Sequence, residues 1–424
     1  MTLAPASRAA LAWLRQRQKG VFLAASGLST VGSFAGLTAK SWILLDGTGN
    51  PMLLALHFAA LSLPSLIVSG PAGVLTDRVG SERVLIRAQW ALLASASLAA
   101  LAIPFFQGQA QVMVLLLSTL FGGVASTYEL TARNKYTGLL VNRPEDLPPY
   151  LASFSIVFNV GKLFGPPIGG LLLALAGPTL ALAVDAASFL VPIAVLLWVL
   201  RPNTQREHQT GTGAAVSLRA AWRECGPVLR HVLRFTSLAC LVGFFHPGLA
   251  PVIAAGVLDA SPQALGLFTS VIAAGSLCGG VVLQRNSTWL SQRPGLLMGA
   301  SALLTALAQI GMALSQEGPL RQATGLLMSF LIGAGTATLL SGVNLMAQVG
   351  APMDLRGRMA GLGQIAFLGG GGFSGLLAAG LLDQFGMGAT FALLGSIGLV
   401  LGLAELLLRG RLRLRSDGFL SGGW

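Results

Sequence analysis

Residues 151–176, LASFSIVFNVGKLFGPPIGGLLLALA, and residues 180–200, LALAVDAASFLVPIAVLLWVL, are two apolar runs separated only by Gly177-Pro178-Thr179 and closed by Arg201. A helix needs about 20 residues to cross the hydrocarbon core of a bilayer, and each run is long enough. Neither run alternates polar with apolar residues as a barrel strand does. In lipid the backbone has to satisfy its own hydrogen bonds, which a helix does within one segment. Glycine, proline and threonine between the runs are turn residues. The stretch therefore reads as two membrane-crossing helices joined by a turn.

The same pattern extends in both directions. The predicted spans are Val21–Leu45, Met52–Leu75, Val84–Phe106, Val112–Leu130, Leu151–Ala176, Leu180–Leu200, Val232–Val257, Ala264–Leu283, Pro294–Leu314, Leu320–Ala347, Met359–Leu382 and Ala389–Leu408. The expected fold is an all-α membrane protein of twelve transmembrane helices in two six-helix bundles. Composition agrees: 54% of the residues are hydrophobic and 10% charged, with a mean hydropathy of +0.73, whereas soluble domains carry roughly 25% charged residues. The 27 Lys and Arg residues, apart from Lys40, Lys162 and Arg321, fall at the termini or at every second boundary between spans. Positive residues stay inside, so both termini are expected in the cytoplasm. No small-residue cleavage signal follows the first basic cluster, and the first span reads as retained.

The net charge of +12 lies in short loops beside apolar spans. That placement excludes a nucleic-acid-binding face. Cys225, Cys240 and Cys278 show neither paired spacing nor a metal-ligand cluster. No phosphate-cradling loop, nucleophile elbow or metal motif occurs, so no enzyme, cofactor or metal is expected.

The connector from Arg201 to Arg234 is the longest. It begins Gly/Thr-rich and then places Leu218, Trp222, Cys225, Leu229 and Val232 at helical spacing among Arg219, Arg223 and Arg230, as an amphipathic helix on the membrane surface does. The expected organisation is a cytoplasmic segment at 1–20, a bundle at 21–200, a linker with an amphipathic helix at 201–231, a second bundle at 232–408 and a cytoplasmic tail at 409–424. The halves repeat: Pro144, Asp146, Leu147 and Ala152 match Pro352, Asp354, Leu355 and Ala360 at a separation of 208 residues, and Gly73-Val74 matches Gly280-Val281 at 207. Two parallel halves suit a carrier that rocks about a central site.

The loop Gly73-Val74-Leu75-Thr76-Asp77-Arg78-Val79-Gly80-Ser81-Glu82-Arg83 resembles the cytoplasmic signature of the major facilitator superfamily. It departs from that signature in having Ser81-Glu82-Arg83 where two or three basic residues are usual. Glycine allows close helix approach and a tight turn, and Asp77 and Arg78 are expected to pair with the ends of neighbouring helices. Gly73, Asp77, Arg78, Gly80 and Arg83 are thus candidate gating residues, the alternative being a solvated loop with orientation charges. Gly165-Pro166-Pro167-Ile168-Gly169-Gly170 resembles the glycine-proline motif of exporters in this superfamily. Its prolines kink a helix and its glycines open a flat packing face, so Gly165, Pro166, Gly169 and Gly170 join the gating candidates, beside the reading of a structural kink.

Over nearly the whole chain the pattern is similar to the enterobactin exporter group, which includes siderophore and macrolide-type drug exporters. Phe121-Gly122-Gly123-Val124-Ala125-Ser126, Arg293-Pro294-Gly295-Leu296-Leu297-Met298 and Gly357-Arg358-Met359-Ala360-Gly361-Leu362 support it. The resemblance implies a monomer in the bacterial inner membrane that exports a small molecule against proton entry, with lipids as its surroundings.

A charge near the bilayer centre costs roughly 2.5–3.5 kcal/mol even on the mildest scale, which makes it a candidate functional group. Lys162 lies near mid-membrane by helical rise and Lys40 closer to the outer end. Both are candidate contacts for an anionic substrate, against the alternative that one of them pairs with Asp185. Asn159, Asn344, His57 and His246 are further candidate substrate contacts, as against packing or helix-gluing residues. Asp185 and Glu129 are the protonatable candidates; Glu129 and Arg133, one turn apart, read equally as an intrahelical pair. The function expected is proton-coupled export of an amphipathic, anionic molecule such as a siderophore. An importer on the same fold, and a non-transporting membrane protein that binds lipid or a partner, are the rival readings.

Overall fold

The computed structural model describes residues 17–141, 147–200, 226–315, 320–349 and 356–410, together with Trp13 and Trp222. The loop matches at Pro144, Asp146, Pro352, Asp354 and Leu355, most of the connector with its amphipathic stretch, and the tail lie outside the described residues. The elements are helical throughout: α1 (Gln18–Thr48), α2 (Pro51–Ser62), α3 (Pro64–Val79), α4 (Ser81–Phe105), α5 (Gly108–Leu139), α6 (Leu147–Ser188), α7 (Leu190–Ala194) running into a π-helical turn at Val195–Val199, α8 (Pro227–Gly243), α9 (His246–Val257), α10 (Pro262–Arg285), α11 (Ser287–Ser291), α12 (Pro294–Leu314), α13 (Arg321–Val349) and α14 (Arg356–Arg409).

Ten stretches among the described residues have the length and composition of a membrane span, where the sequence predicts twelve. The difference lies in two of them, Ile156–Val199 and Ile365–Arg409, of 44 and 45 residues, each about twice the length one crossing requires. Each is interrupted by a glycine in a conformation closed to other residues: Gly177 with φ 79° and ψ 173°, and Gly386 with φ 79° and ψ 174°. These breaks fall at the fifth-to-sixth and eleventh-to-twelfth boundaries read from the sequence.

By contacts the chain divides into two compact units, Met1–Ile43 with Ile67–Ala215, and Leu44–Leu66 with Val216–Trp424. The sequence places residues 44–66 in the first bundle, whereas here they pack with the second unit. Small residues explain this: a Cβ on Gly248 of α9 would lie 3.4 Å from Phe58 Cβ and 3.7 Å from Ala55 Cα, and one on Gly375 of α14 would lie 3.7 Å from Ala55 Cβ. Phe58 also meets Phe244 edge-on, with ring centroids 6.3 Å apart.

In the first unit the glycines of α6 seat it on α1. A Cβ at Gly165 would stand 2.6 Å from Phe34 Cβ and 2.7 Å from the Val31 carbonyl oxygen, and at Gly169 2.8 Å from Ala35 Cα. Gly161 in turn faces Thr30. Helices in lipid gain little from apolar burial and associate where small residues let backbones approach. At one end of this unit, Phe22, Leu85, Tyr136, Leu140, Leu196 and Leu200 form a buried cluster. The second unit repeats the device. Gly275 and Gly279 of α10 lie against Phe330 and Ala334 of α13, and Gly370 of α14 against Ser237 and Cys240 of α8.

Between α8 and α9 the helix is broken at Phe244-Phe245. Pro247 has no N–H to give the Gly243 carbonyl. Gln309 of α12 replaces the missing donor, its Nε2 lying 3.3 Å from both the Val242 and Gly243 carbonyl oxygens. Gln309 thus ties α12 to the broken end of α8.

A Cβ at Gly73 in the motif loop would meet nothing within 4 Å. The close approach expected at Gly73 is not made. Gly165→Leu is therefore expected to destabilise the purified protein by about 1–3 kcal/mol through overpacking, while Gly73→Ala leaves its thermal unfolding midpoint unchanged or raised. Equal effects of the two substitutions on that midpoint would show that the α1–α6 contact does not hold the unit together.

Candidate functional site

Two glycines of α1 shape the site in the first unit. Gly32 leaves room for Ser188, and Gly36 leaves room for Asp185, whose carboxylate would collide with any side chain there. Asp185 is 4% exposed, and its Oδ1 accepts no hydrogen bond. The adjoining Ser188 hydroxyl donates to the Asp185 main-chain oxygen at 2.7 Å. One turn past Gly36, Lys40 is 8% exposed, and its charge and that of Asp185 act on one another. Of the two lysines that the sequence offers Asp185, Lys40 is the one whose charge it feels, with no ion pair formed between them.

Lys162 is half-buried on α6 with Asn159 one turn before it, and among the described residues no other charged group acts on it. Pro166, four residues on, removes the helical donor of the Lys162 carbonyl. Gly170 is buried beside Gly169. The α6 motif thus sets Lys162 one turn before two prolines, on a helix whose approach to α1 is fixed by Gly161, Gly165 and Gly169.

Glu129 occupies a separate place, between α4, α5 and α6. Arg133 of the same helix contacts its Oε1 at 3.1 Å, and Gln89 of α4 donates to the same oxygen at 3.5 Å. The Arg133 guanidinium lies 5.6 Å from the centre of the Phe154 ring on α6. The i,i+4 pair legible in the sequence is present, and Gln89 extends it to a third polar group.

At the motif loop, Gly80 takes a φ of 97° and is the single residue between α3 and α4. Asp77 receives a 2.8 Å contact from Lys135 Nζ of α5. Arg78 and Arg83 are exposed. The acid of the motif is thus paired across helices with a lysine that sequence reading counted only as an orientation charge.

The remaining candidates sit in the second unit. His57 on α2 is 1% exposed and His246 on α9 is 4% exposed, the latter edge-on to Phe244 with centroids 5.1 Å apart. Asn344 lies half-buried on α13 beside Gly363. A mostly apolar cavity of about 450 Å³ opens between Leu66, Leu238, Leu241, Ile365 and Phe373, with Ser237 as its polar group. Such a volume suits a drug-sized organic molecule.

Sequence reading missed one buried cluster. Glu405 of α14 is 3% exposed and receives His231 Nε2 of α8 at 3.0 Å from each carboxylate oxygen, with Arg409 NH1 at 3.3 Å. The Glu405–Arg409 spacing of four was the available signal; His231, 174 residues away, offered none. Among the described residues, no three His, Cys, Asp or Glu side chains are grouped as metal ligands.

A family model described as transmembrane secretion effector matches residues 8–418. The multidrug efflux pump Tap of Mycolicibacterium fortuitum is 28% identical over 89% of this chain and 93% of its own length. Its namesake in Mycobacterium tuberculosis is 24% identical over 88% of each chain. Among solved structures, a nucleoside transporter, NupG, superposes with a TM-score of 0.75 over 92% of this chain and 99% of its own, at 12% identity. A D-xylose–proton symporter gives 0.72 over 91% and 96%, at 14% identity.

Removing one of two buried charges that offset each other at a distance leaves the other less compensated. Asp185→Asn is therefore expected to lower stability by about 1–3 kcal/mol, and Lys40→Met placed on top of it to recover most of that loss. Thermal unfolding of the four proteins of this cycle gives the coupling directly; strictly additive effects would show that the two groups do not share charge.

Proposed function

The chain belongs to the transmembrane secretion effector family of the major facilitator superfamily, and on that premise we propose that it exports an amphipathic organic anion, such as a siderophore, in exchange for protons. It is a multi-pass membrane transporter. Whole-length similarity to efflux pumps supports the outward direction. Division of the two double-length helices at Gly177 and Gly386 supports twelve crossings in a six-plus-six arrangement, and the distribution of Lys and Arg supports cytoplasmic termini in a bacterial inner membrane.

The observation that carries the substrate assignment is the inequality of the two intramembrane lysines. Asp185 acts on Lys40, whereas Lys162, half-buried beside Asn159, meets no opposing charge among the described residues. An anion that reaches Lys162 replaces part of the hydration that the ammonium has lost, and a charge-assisted hydrogen bond of that kind contributes about 1.5–3 kcal/mol.

The proton acts through Asp185 or Glu129. While Asp185 is ionised, its group with Lys40 is neutral overall and tolerable among apolar helices. A proton on Asp185 leaves Lys40 buried without that compensation, a state that costs about 1–3 kcal/mol. Proton arrival thus raises the energy of this packing and favours a rearrangement that rehydrates Lys40. The Glu129–Arg133 pair offers the same logic, softened by Gln89 and by the Phe154 face under the guanidinium. Asp77–Lys135, with the turn at Gly80, and the glycine-proline face at Gly165, Pro166, Gly169 and Gly170 are the parts on which gating would act.

Uptake into inverted membrane vesicles under an imposed proton gradient tests this reading, with anionic siderophores set against cationic drugs. Gradient-dependent uptake of the anion is expected, abolished by a protonophore and reduced about tenfold or more in Lys162→Ala. Uptake confined to cations and unchanged in Lys162→Ala would overturn the anion assignment, and uptake indifferent to the gradient would overturn proton coupling.

A further inference from the structure

The connection between α10 and α12 is built differently from a solvated loop. Arg285 closes the last turn of α10 with its side chain exposed, and α11 follows at once. Leu290 of α11 packs on the buried cluster of the second unit and Ser291 is 9% exposed, which anchors the segment from within. Trp289 points the other way, 48% exposed, and Arg293 lays its guanidinium 4.5 Å from the centre of the Trp289 ring. Below them on α10, Val281 and Val282 are 45% and 52% exposed, so apolar surface runs directly up to two guanidiniums and an indole.

Charge decides what fits there. None of α10, α11, α12 and α13 carries an acid. Arg285 and Arg293 therefore have no carboxylate on these elements to exchange for an incoming anion. A tryptophan at the end of an apolar span sits at headgroup level, where its ring is half in hydrocarbon. The first unit offers a comparable strip at Arg83, Arg87 and exposed Trp90, but Glu82 stands in the same first turn of α4.

We propose that Arg285, Trp289 and Arg293 form a binding site for the headgroup of an anionic phospholipid, with its acyl chains against Val281 and Val282. The exposed valines select a lipid over a soluble phosphate, because only the lipid covers them. Arg293 is held in place by the indole, so little side-chain freedom is lost when a phosphate binds.

Native mass spectrometry of the full-length protein with equal phosphatidylglycerol and phosphatidylcholine tests the site. A basic residue near an anionic headgroup contributes about a fivefold preference, so the double variant Arg285→Gln/Arg293→Gln is expected to lose about thirty-fold in phosphatidylglycerol over phosphatidylcholine. Arg83→Gln/Arg87→Gln is the matched control and is expected to lose less. An unchanged preference in the first variant, an equal or larger loss in the control, or full displacement of lipid by inorganic phosphate would each overturn the proposal. Should the first variant fail to fold, the wild-type protein is compared at about 50 and 300 mM salt: a preference that falls with salt and with Trp289→Ala supports the site, and one indifferent to both overturns it.

Discussion

Hydrocarbon offers a polypeptide no hydrogen bonds, and the rest of this structure follows from how each polar group is accommodated without them. Regular helices dispose of most main-chain groups. Hydroxyls of α1 are satisfied by its own carbonyls, as Thr30 bonds the Ser26 oxygen at 2.7 Å, Ser33 that of Ser29 at 2.9 Å and Thr38 that of Phe34 at 3.0 Å. Where Pro247 takes a donor away, Gln309 supplies one from the next helix. Beyond these groups, the ionisable side chains set among the apolar helices of the first unit are, among the described residues, Lys40, Lys162, Asp185 and the Arg133-paired Glu129.

Their positions depend on side chains that are missing. On one side of α1, the glycines of α6 draw the two backbones together. On the other, Gly32 and Gly36 leave a notch that Ser188 and Asp185 fill. A carboxylate placed by such a notch has little room to move, and its charge must be met where it stands. Lys40, one turn beyond the notch, is the charge that acts on it. Packing and electrostatics are in this way the same feature: the contact that lets helices associate without a hydrophobic drive also fixes the charge that would report a proton.

Legibility in the sequence follows the range of the interaction. Helical spans were readable because length and unbroken apolarity are local properties, and the division at Gly177 was readable because Gly-Pro-Thr is a local turn signal. The Glu129–Arg133 pair was readable at a spacing of four. Lys135 as partner of Asp77, 58 residues away, was not, nor was Gln89 beside Glu129 at a distance of 40. The choice between Lys40 and Lys162 as neighbour of Asp185 needed the notch, which is a property of three helical segments at once. The grouping of residues 44–66 with the second unit needed the small faces of Ala55, Gly248 and Gly375, none of which carries a sequence signal beyond its size.

The two halves share a scaffold but not its charges. Gly177 and Gly386 break their helices 209 residues apart at nearly identical dihedral angles, and Gly161 against Thr30 is matched by Gly370 against Ser237. Yet the offsets of those matches, 207 residues for α1 and 209 for α6, carry Lys40 to Pro247, Lys162 to Gly371 and Asp185 to Leu394. Where one half carries a charge, the other carries a packing surface. The buried ionic group of the second unit is instead His231–Glu405–Arg409, close to the ends of α8 and α14. Symmetry is needed for two halves to rock against one another, since matched helix breaks and matched glycine faces give matched motions. Chemistry has no such requirement, because a charge duplicated in an apolar helix is paid for twice and a single pair suffices to sense a proton. A duplicated scaffold with charges kept in one half is the arrangement these two costs together favour.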